Sequence, residues 1–276
     1  MANFISRKLE KLKQKKTFAE YGYEVNAFHV DGFGKVEYAQ WQHPFEKPKT
    51  INASSIEYYQ KLVSPGATIV DIGAHTGDTT VLMALAVGKV GLVIGFEPNR
   101  YVYKVLKANS ELNAKLTNIE PVCAAATEEN GTFKFNYSDA SFCNGGFLSQ
   151  IENQNHKHDY TLEVLGINFE EYAENSIDPV ALDKLELVKI DAEGYDKEII
   201  KSISQLLKSK RPKLMVECYK KLNNEERAEL WTVVDELGYD LFKIDGFEAS
   251  SIDEKVKLEL RNMNDEKHFE ILAIPR

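Results

Sequence analysis

One segment, residues 69–80, joins an apolar run to a turn with two glycines, and it reads Ile-Val-Asp-Ile-Gly-Ala-His-Thr-Gly-Asp-Thr-Thr. Gly73 and Gly77 allow a tight turn and a close approach of the backbone to a ligand. The helix that follows begins with free N–H groups and a partial positive charge, which favour a carboxylate. We therefore expect Gly73, His75 and Gly77 to surround the amino-acid end of a ligand, with Asp71 facing its ammonium group.

A second acid follows twenty residues after Gly77, in the segment Gly-Phe-Glu-Pro-Asn at 95–99. An acid at the end of the second strand of an α/β unit accepts hydrogen bonds from ribose hydroxyls. This predicts that role for Glu97, with Asn99 as a neighbouring contact. A ligand with a ribose at one end and an amino acid at the other fits both segments, and S-adenosylmethionine is such a ligand.

Small residues end the next apolar run, which reads Pro-Val-Cys-Ala-Ala-Ala-Thr at 121–127. They leave room for a flat ring, so Cys123 and Ala124 are candidates for an adenine pocket. Plain packing in the core is the alternative for both residues.

Two carboxylates occur together in Leu-Val-Lys-Ile-Asp-Ala-Glu-Gly-Tyr-Asp at 187–196, where an apolar strand breaks into a loop and a helix. Strand ends on this side of an α/β sheet converge on the ligand. We expect Asp191 near the transferred methyl group, and either Glu193 or Asp191 as the general base that takes the proton of the acceptor. For Asp191 the alternative is the N-cap of the next helix.

A divalent cation is a further alternative, because carboxylates are its usual ligands. Asp191 and Glu193 are then joined by Glu217, an acid inside the apolar run 214–218. A salt bridge to a nearby lysine is the competing interpretation of Glu217. His156 and His158 lie two residues apart in the polar stretch 138–159, and two histidines at this spacing could also bind a metal.

Apolar runs alternate with amphipathic stretches from residue 67 onwards. This pattern predicts a mostly parallel sheet with helices on both faces. The last strand, 269–274, follows an irregular segment and is expected to be antiparallel. The other strands are expected at 67–72, 91–96, 118–125, 185–190, 214–218 and 240–244, and the helices at 78–86, 100–112, 196–207 and 224–237. We divide the chain into an N-terminal extension, 1–62, and a Rossmann-like domain, 63–276, with an insertion at about 131–183.

The composition limits the kinds of binding partner and the cellular compartment expected for the protein. The net charge is −9 and the pI about 5.3, which disfavours nucleic acid as a partner. The three cysteines are odd in number, match no zinc or C-x-x-C spacing and suit a reducing compartment. Neither a secretory signal nor a membrane-spanning stretch is evident in the sequence. A cytoplasmic protein that acts on a small molecule or a carbohydrate is expected.

At the segments quoted above the chain resembles the FkbM family of methyltransferases, over roughly residues 60–276. The resemblance implies a class I methyltransferase fold and cofactor contacts by Asp71, Gly73, Gly77 and Glu97. It places Asp191 and Glu193 at the reaction centre. It also implies methyl transfer from S-adenosylmethionine to a hydroxyl of a sugar, glycan or secondary metabolite.

Two other functions stay open. A nicotinamide-dependent oxidoreductase is opposed by the glycine spacing, since its fingerprint is G-x-G-x-x-G and this chain has G-x-x-x-G. A cofactor-binding protein without catalysis is opposed by the acids retained at 191–196.

Overall fold

The computed structural model describes residues 15–143, 145–148, 160–247 and 255–276, so the predicted histidine pair His156 and His158 lies outside the described residues. The strands are β1 (Tyr23–Val30), β2 (Gly34–Trp41), β3 (Thr68–Ile72), β4 (Leu92–Phe96), β5 (Ile119–Val122), β6 (Ala125–Thr127), β7 (Gly131–Tyr137), β8 (Gly145–Leu148), β9 (Tyr160–Asn168), β10 (Leu185–Ile190), β11 (Lys213–Cys218), β12 (Tyr239–Ile244), β13 (Val256–Lys257) and β14 (Phe269–Pro275). The helices are α1 (Ala53–Gln60), α2 (Asp78–Val87), α3 (Arg100–Leu112), α4 (Phe169–Ser176), α5 (Pro179–Leu182), α6 (Asp196–Ser202), α7 (Ser204–Lys210) and α8 (Asn224–Glu236), with a 3-10 turn at Leu260–Asn262.

Eight strands form the central sheet, in the order β13-β12-β14-β11-β10-β3-β4-β5. The five strands from β11 to β5 pair in parallel, and β14 is antiparallel to both β11 and β12. This confirms the predicted α/β class with its antiparallel last strand. The strand order reverses between β3 and β10, and ligands of open α/β sheets bind outside the carboxyl ends of the strands at such a point.

The apolar runs become buried strands because helices cover both faces of the sheet. All five residues of β3 are buried. Its side chains alternate between two cores: Val70 and Ile72 pack with α6 and α8, whereas Ile69 packs with α1 and α2. Among the described residues, none of the helices has both the length and the apolar character needed to cross a bilayer.

Two predicted elements are wrong in their bounds. The strand expected at 118–125 is divided, because β5 ends at Val122 and β6 then pairs in parallel with β9 in a second sheet, of order β6-β9-β7-β8. The helix expected at 196–207 is two helices, since Ile203 lies between them with φ −106° and ψ 18°. Strands β7, β8 and β9 of the second sheet lie within the insertion predicted at 131–183, and the sheet begins earlier, at Ala125 of β6.

The N-terminal extension contains the hairpin of β1 and β2, which packs on α3 through two asparagines. Asn109 and Asn113 are one turn apart, so both face the hairpin. The side-chain amide of Asn109 accepts a hydrogen bond from the backbone N–H of Ala39 at 2.6 Å and donates one to the Ala39 carbonyl at 3.1 Å. The amide of Asn113 makes the same two bonds to the backbone of Glu37, at 3.0 and 2.7 Å. The boundary at residue 62 stays a prediction.

Candidate active site

A cavity of about 930 Å³, part of it open to solvent, lies at the carboxyl ends of β3, β4 and β10. Six of the nine residues predicted to contact the cofactor line it: Gly73, His75, Glu97, Asn99, Ala124 and Asp191. Glu193 lines it as well. Side chains of the second sheet, among them Phe135 and Tyr137, form the opposite wall. We call this space the first cavity.

Gly73 brings the strand ends together. Its φ is 80°, and a Cβ added there would lie 2.0 Å from the backbone oxygen of Asp191, so a side chain does not fit. The N–H of Gly73 donates to the carbonyl of Phe96 at 3.1 Å, and the N–H of Asp191 donates to that of Ile72 at 3.0 Å. The loop after β3 is therefore held against the ends of both neighbouring strands.

Glu97 is 6% exposed, at the wall of the first cavity. Its two oxygens accept the backbone N–H groups of Asn99 at 2.7 Å and His75 at 3.0 Å. Burial raises the pKa of the Glu97 carboxyl, although His75 and these two N–H groups oppose the change. A carboxyl fixed in this way can accept further hydrogen bonds from ligand hydroxyls.

Asp71, predicted to face the ammonium group of the ligand, is buried in β3 behind the cavity wall. It is 0% exposed and lies outside the cavity lining. Its oxygens accept hydrogen bonds from Lys189 at 3.0 Å, Thr79 at 3.1 Å and Thr80 at 2.7 Å. The strand turns this side chain toward the α2 face of the sheet, where Lys189 and the two threonines surround the carboxylate.

Lys189 is the cation that balances Asp71, and sequence reasoning missed it. It is 1% exposed, and its Nζ also lies 3.7 Å from Asp191 Oδ2 and 4.9 Å from the ring centre of Phe247. Burial alone would lower the pKa of this ammonium group, but Asp71 and Asp191 outweigh burial and raise it. The signal was a lysine within a buried apolar strand, which requires an acidic partner.

The two other predicted cofactor residues outside the cavity lining are Gly77 and Cys123. Gly77 has φ 89°, and an added Cβ would lie 2.9 Å from Leu106 Cδ1, so the glycine lets α3 pack on the loop. Cys123 is half-buried between β5 and β6, and its neighbour Ala124 faces the cavity instead.

Glu193 has φ 52°, in the left-handed region that non-glycine residues rarely adopt. Strained residues of this kind gather at functional sites. Burial raises the pKa of Glu193, and the nearby charge of Asp191 adds to the effect, while a hydrogen bond from the Tyr219 hydroxyl opposes it. Tyr219 follows β11 directly and is a site residue that the sequence analysis did not single out.

Asp196, rather than Asp191, accepts the backbone N–H groups of this turn, from Ala192 at 3.3 Å and Gly194 at 3.0 Å. Burial, followed by the charge of Asp191, raises the pKa of Asp196 to about 7. The side chain of Asp191 is 37% exposed and lines the cavity, and Tyr195 occupies the N-cap position of α6. Asp191 therefore does not cap that helix.

Glu217 lies opposite Glu270 on the paired strands β11 and β14, and His268 lies 3.4 Å from the first and 3.3 Å from the second. The salt bridge to a lysine, given above as the competing interpretation of Glu217, is not among its described contacts, which include His268 instead. The part of the chain that the structure describes contains no group of three or more His, Cys, Asp or Glu side chains that could hold a metal ion. The metal alternative for Asp191, Glu193 and Glu217 gains no support from this geometry.

A second cavity, of about 990 Å³ including open solvent, lies beside the first and shares Gly73, His75 and Asp191 with it. Charged groups dominate its wall, with Phe247 as an aromatic neighbour. They are Lys49, Asp78, Lys189, Asp191 and Asp245. His75, which borders both cavities, has φ 48° and packs edge-on against Trp41 with ring centres 6.1 Å apart.

Comparison with known families identifies the group to which the chain belongs. The sequence matches the profile of the methyltransferase FkbM domain over residues 71–241. The profile of protein-L-isoaspartate (D-aspartate) O-methyltransferase matches residues 7–131. No curated protein sequence matches the chain.

Solved structures with a similar fold include the methyltransferase FkbM from Methylobacillus flagellatus, with 14% identity, a TM-score of 0.45 and coverage of 79% of this chain. The chain spans only 50% of that protein. The precorrin-6y C5,15-methyltransferase from Geobacter metallireducens has 13% identity and a TM-score of 0.43, with 83% of this chain and 93% of that one covered. The O-methyltransferase from Bacillus cereus, solved with S-adenosylhomocysteine, has 12% identity and a TM-score of 0.44, with 83% and 84% covered. Because the FkbM profile spans more than half of the sequence, this chain belongs to the FkbM family of S-adenosylmethionine-dependent methyltransferases.

Proposed function

We propose that this protein transfers the methyl group of S-adenosylmethionine to a hydroxyl oxygen of a sugar, glycan or secondary metabolite. One observation carries the proposal: Asp191 and Glu193, from the end of β10, line the same cavity as Glu97 and Ala124. Groups suited to proton transfer therefore border the space that suits the donor.

The residues of the first cavity fit the donor. Glu97 offers a fixed carboxyl to the ribose hydroxyls, and Ala124 with its alanine neighbours leaves room for the adenine ring. When bound there, S-adenosylmethionine supplies a methyl carbon on a positively charged sulfur.

Glu193 is our candidate for the general base. The acceptor hydroxyl passes its proton to the Glu193 carboxylate as its oxygen bonds to the methyl carbon. A raised carboxyl pKa makes Glu193 a stronger base than an exposed glutamate. The Tyr219 hydroxyl fixes the carboxylate, and much of the rate is expected from holding the hydroxyl in line with the reacting carbon.

The acidic surroundings favour a hydroxyl over a carboxylate as the acceptor. The match to the isoaspartate O-methyltransferase profile suggests a carboxylate acceptor as the alternative. That match ends at residue 131, before Asp191 and Glu193. A carboxylate acceptor would meet Asp191 and Glu193 at close range, where like charges repel. A neutral hydroxyl meets no such barrier.

Thermal unfolding with S-adenosylmethionine, S-adenosylhomocysteine and NAD in parallel tests the donor. A ligand at ~100 times its Kd adds about 2.7 kcal/mol of stability. We expect the first two ligands to raise the Tm and NAD to leave it unchanged. A rise in Tm with NAD alone would contradict the methyltransferase proposal and favour the oxidoreductase.

The acceptor is tested by following S-adenosylhomocysteine release with a panel of free sugars, glycans, hydroxylated metabolites and an isoaspartyl peptide. Mass spectrometry of the product then locates the added methyl group. We expect turnover with a hydroxyl compound. Turnover with the isoaspartyl peptide alone would replace the proposed acceptor class with a carboxylate.

Replacing the base separates chemistry from binding. With the acceptor so found, we expect Glu193→Gln to lower kcat by about 100-fold or more, because the amide cannot take the proton. The Kd of S-adenosylhomocysteine, measured by calorimetry, should stay within about twofold of the parent value. Glu129→Gln, an exposed site, is the control. An unchanged kcat in Glu193→Gln would remove Glu193 from the reaction.

A further inference from the structure

A cation and an anion lie side by side on the wall of the second cavity. The Lys49 ammonium group donates to Asp78 Oδ2, and it lies 3.6 Å from Glu46 Oε1. Lys49 comes from the segment between β2 and α1, and Asp78 is the first residue of α2. Their side chains are 26% and 16% exposed, so both charges are partly shielded from water and still face the cavity.

This pair is well matched to a zwitterion. An α-amino acid end carries one carboxylate and one ammonium group a few bonds apart, and a paired cation and anion can each bind the opposite charge. Charge-assisted hydrogen bonds of this kind are about twice as strong as neutral ones. Burial raises the pKa of Asp78, but the nearby cation Lys49, together with His75 and Lys189, outweighs burial and lowers that pKa, which keeps the Asp78 carboxylate charged at neutral pH.

The position of the pair agrees with this match. The two cavities meet at Gly73, His75 and Asp191, so a ligand whose ribose is near Glu97 can extend past Gly73 into the second cavity. Asp71, the residue that the motif suggests for the ammonium group, is closed off by Lys189 and two threonines. Other groups must then recognise the charged end of the ligand.

We propose that Lys49 and Asp78 form the recognition site for the amino-acid end of S-adenosylmethionine, Lys49 binding its carboxylate and Asp78, with Asp191, its ammonium group. This inference rests on the donor assignment made above. It makes the N-terminal extension part of the cofactor site, although the FkbM profile begins only at residue 71.

The segment that carries Lys49 is fixed by Gln40 of β2. The backbone N–H of Lys49 donates to Gln40 Oε1 at 2.7 Å, and Gln40 Nε2 donates to the carbonyl of Lys47 at 3.3 Å. Gln40 is 7% exposed. The ammonium group is therefore held at the cavity by a segment anchored in the hairpin.

Three ligands that differ only at this end provide the test. They are S-adenosylhomocysteine, its decarboxylated amine analogue and 5′-methylthioadenosine, which keeps the adenosine and the sulfur but has no amino-acid end. Calorimetry without acceptor gives the Kd of each ligand for the parent, for Lys49→Met, for Asp78→Asn and for Lys47→Met. Lys47 is exposed on the same segment and outside the cavity lining, so its variant removes an equal charge nearby.

We expect Lys49→Met to weaken S-adenosylhomocysteine about tenfold while leaving the decarboxylated analogue and 5′-methylthioadenosine within about twofold, since tenfold in Kd is the loss of one such interaction. Asp78→Asn should weaken both ligands that carry an amine relative to 5′-methylthioadenosine. Lys47→Met should match the parent. The ratio of the Kd values of two ligands for the same variant serves as an internal control, because a partly misfolded sample affects the binding of both ligands alike.

Equal affinities of Lys49→Met and the parent for S-adenosylhomocysteine would overturn the assignment of the pair and leave methyl transfer standing. So would an equal loss for all three ligands in Lys49→Met. A parent protein that binds none of the three would overturn the donor assignment itself, and this inference with it.

Discussion

Asp71 shows how the position of a single acidic residue within a buried strand determines its partners. The motif suggested a ligand contact, but the neighbours Ile69, Val70 and Ile72 already placed the residue inside a buried strand. A carboxylate there needs a partner to offset its desolvation. The partner, Lys189, is 118 residues away, and pairing of β3 with β10 brings the two together.

The ion pair of Asp71 and Lys189 should matter for folding. We expect Lys189→Met to lower the free energy of unfolding by about 3–5 kcal/mol, because it leaves a buried carboxylate without its cation. Denaturant unfolding measures the loss. Asp71→Asn added to that variant should restore part of it, since the amide carries no charge and can still accept from Thr79 and Thr80. Exposed Lys184→Met serves as the control, and a loss as small as that control's would contradict the structural role.

Glu217 and Glu270 are a pair of buried carboxyls at the same edge of the sheet. Their Oε2 atoms are buried, and neither finds a hydrogen-bond partner among the described residues. Burial, then the charges of Asp191 and other acids, raises the pKa of Glu217 to about 10, and burial with Asp191 raises that of Glu270 to about 8. Both carboxyls therefore retain protons at pH values where exposed glutamates have lost them.

This pair makes stability depend on pH in a definite direction. A carboxyl with a raised pKa in the folded protein stabilises it at low pH, and that contribution is lost as pH rises from the unfolded pKa toward the folded one, by up to about 1.4 kcal/mol per pH unit. Glu217→Gln cannot ionise. We expect it to raise the Tm relative to the parent, with a gain that grows between pH 6 and pH 8.5.

The control for this pH series is Glu163→Gln, at an exposed position of β9. It should change the Tm little, and by the same amount at every pH. A gain for Glu217→Gln that does not grow with pH would indicate that the carboxyl is already ionised in the folded protein.

Among the elements, the hairpin of β1 and β2 has the least expected role. Asn109 of α3 bonds both backbone groups of Ala39, and its Nδ2 also donates to the carbonyl of Thr76 at 2.7 Å. The Tyr38 hydroxyl lies 2.8 Å from Thr76 Oγ1. The hairpin and α3 therefore hold the residue that follows His75 in the loop after β3.

Asn109→Ala tests this link between elements. Each buried group left without a partner costs about 1–3 kcal/mol, so we expect a clear loss of stability together with a higher Kd for S-adenosylhomocysteine, because the loop loses its support. Asn113→Ala is the matched control, since Asn113 bonds the same hairpin and none of its hydrogen bonds described here reaches Thr76. The two variants should share the stability loss and differ in affinity. Equal affinities would show that the loop keeps its form without Asn109.

Considering the whole molecule, the alternation of buried strands and helices was sufficient to predict the central sheet and the direction of its last strand. The carboxyl ends of its parallel strands then bring Gly73, Glu97 and Asp191 to one cavity, as expected. The departure of the chain after Val122 was not predictable, because the small residues at 123–126 suit either sheet. The contributions of Lys49 and Lys189 were also hidden, since each depends on contacts distant in sequence.

The change of sheet between Val122 and Ala125 has a consequence for energetics. The walls of the first cavity belong to two separate sheets, with Phe96 and Gly73 on one side and Phe135 and Tyr137 on the other. A molecule that touches both walls is bound most tightly when the sheets are docked, so its binding and their docking are thermodynamically coupled, each strengthening the other. For a methyl donor that touches both walls, a substitution in the second sheet that weakens the docking of the two sheets would therefore also lower the affinity for the donor.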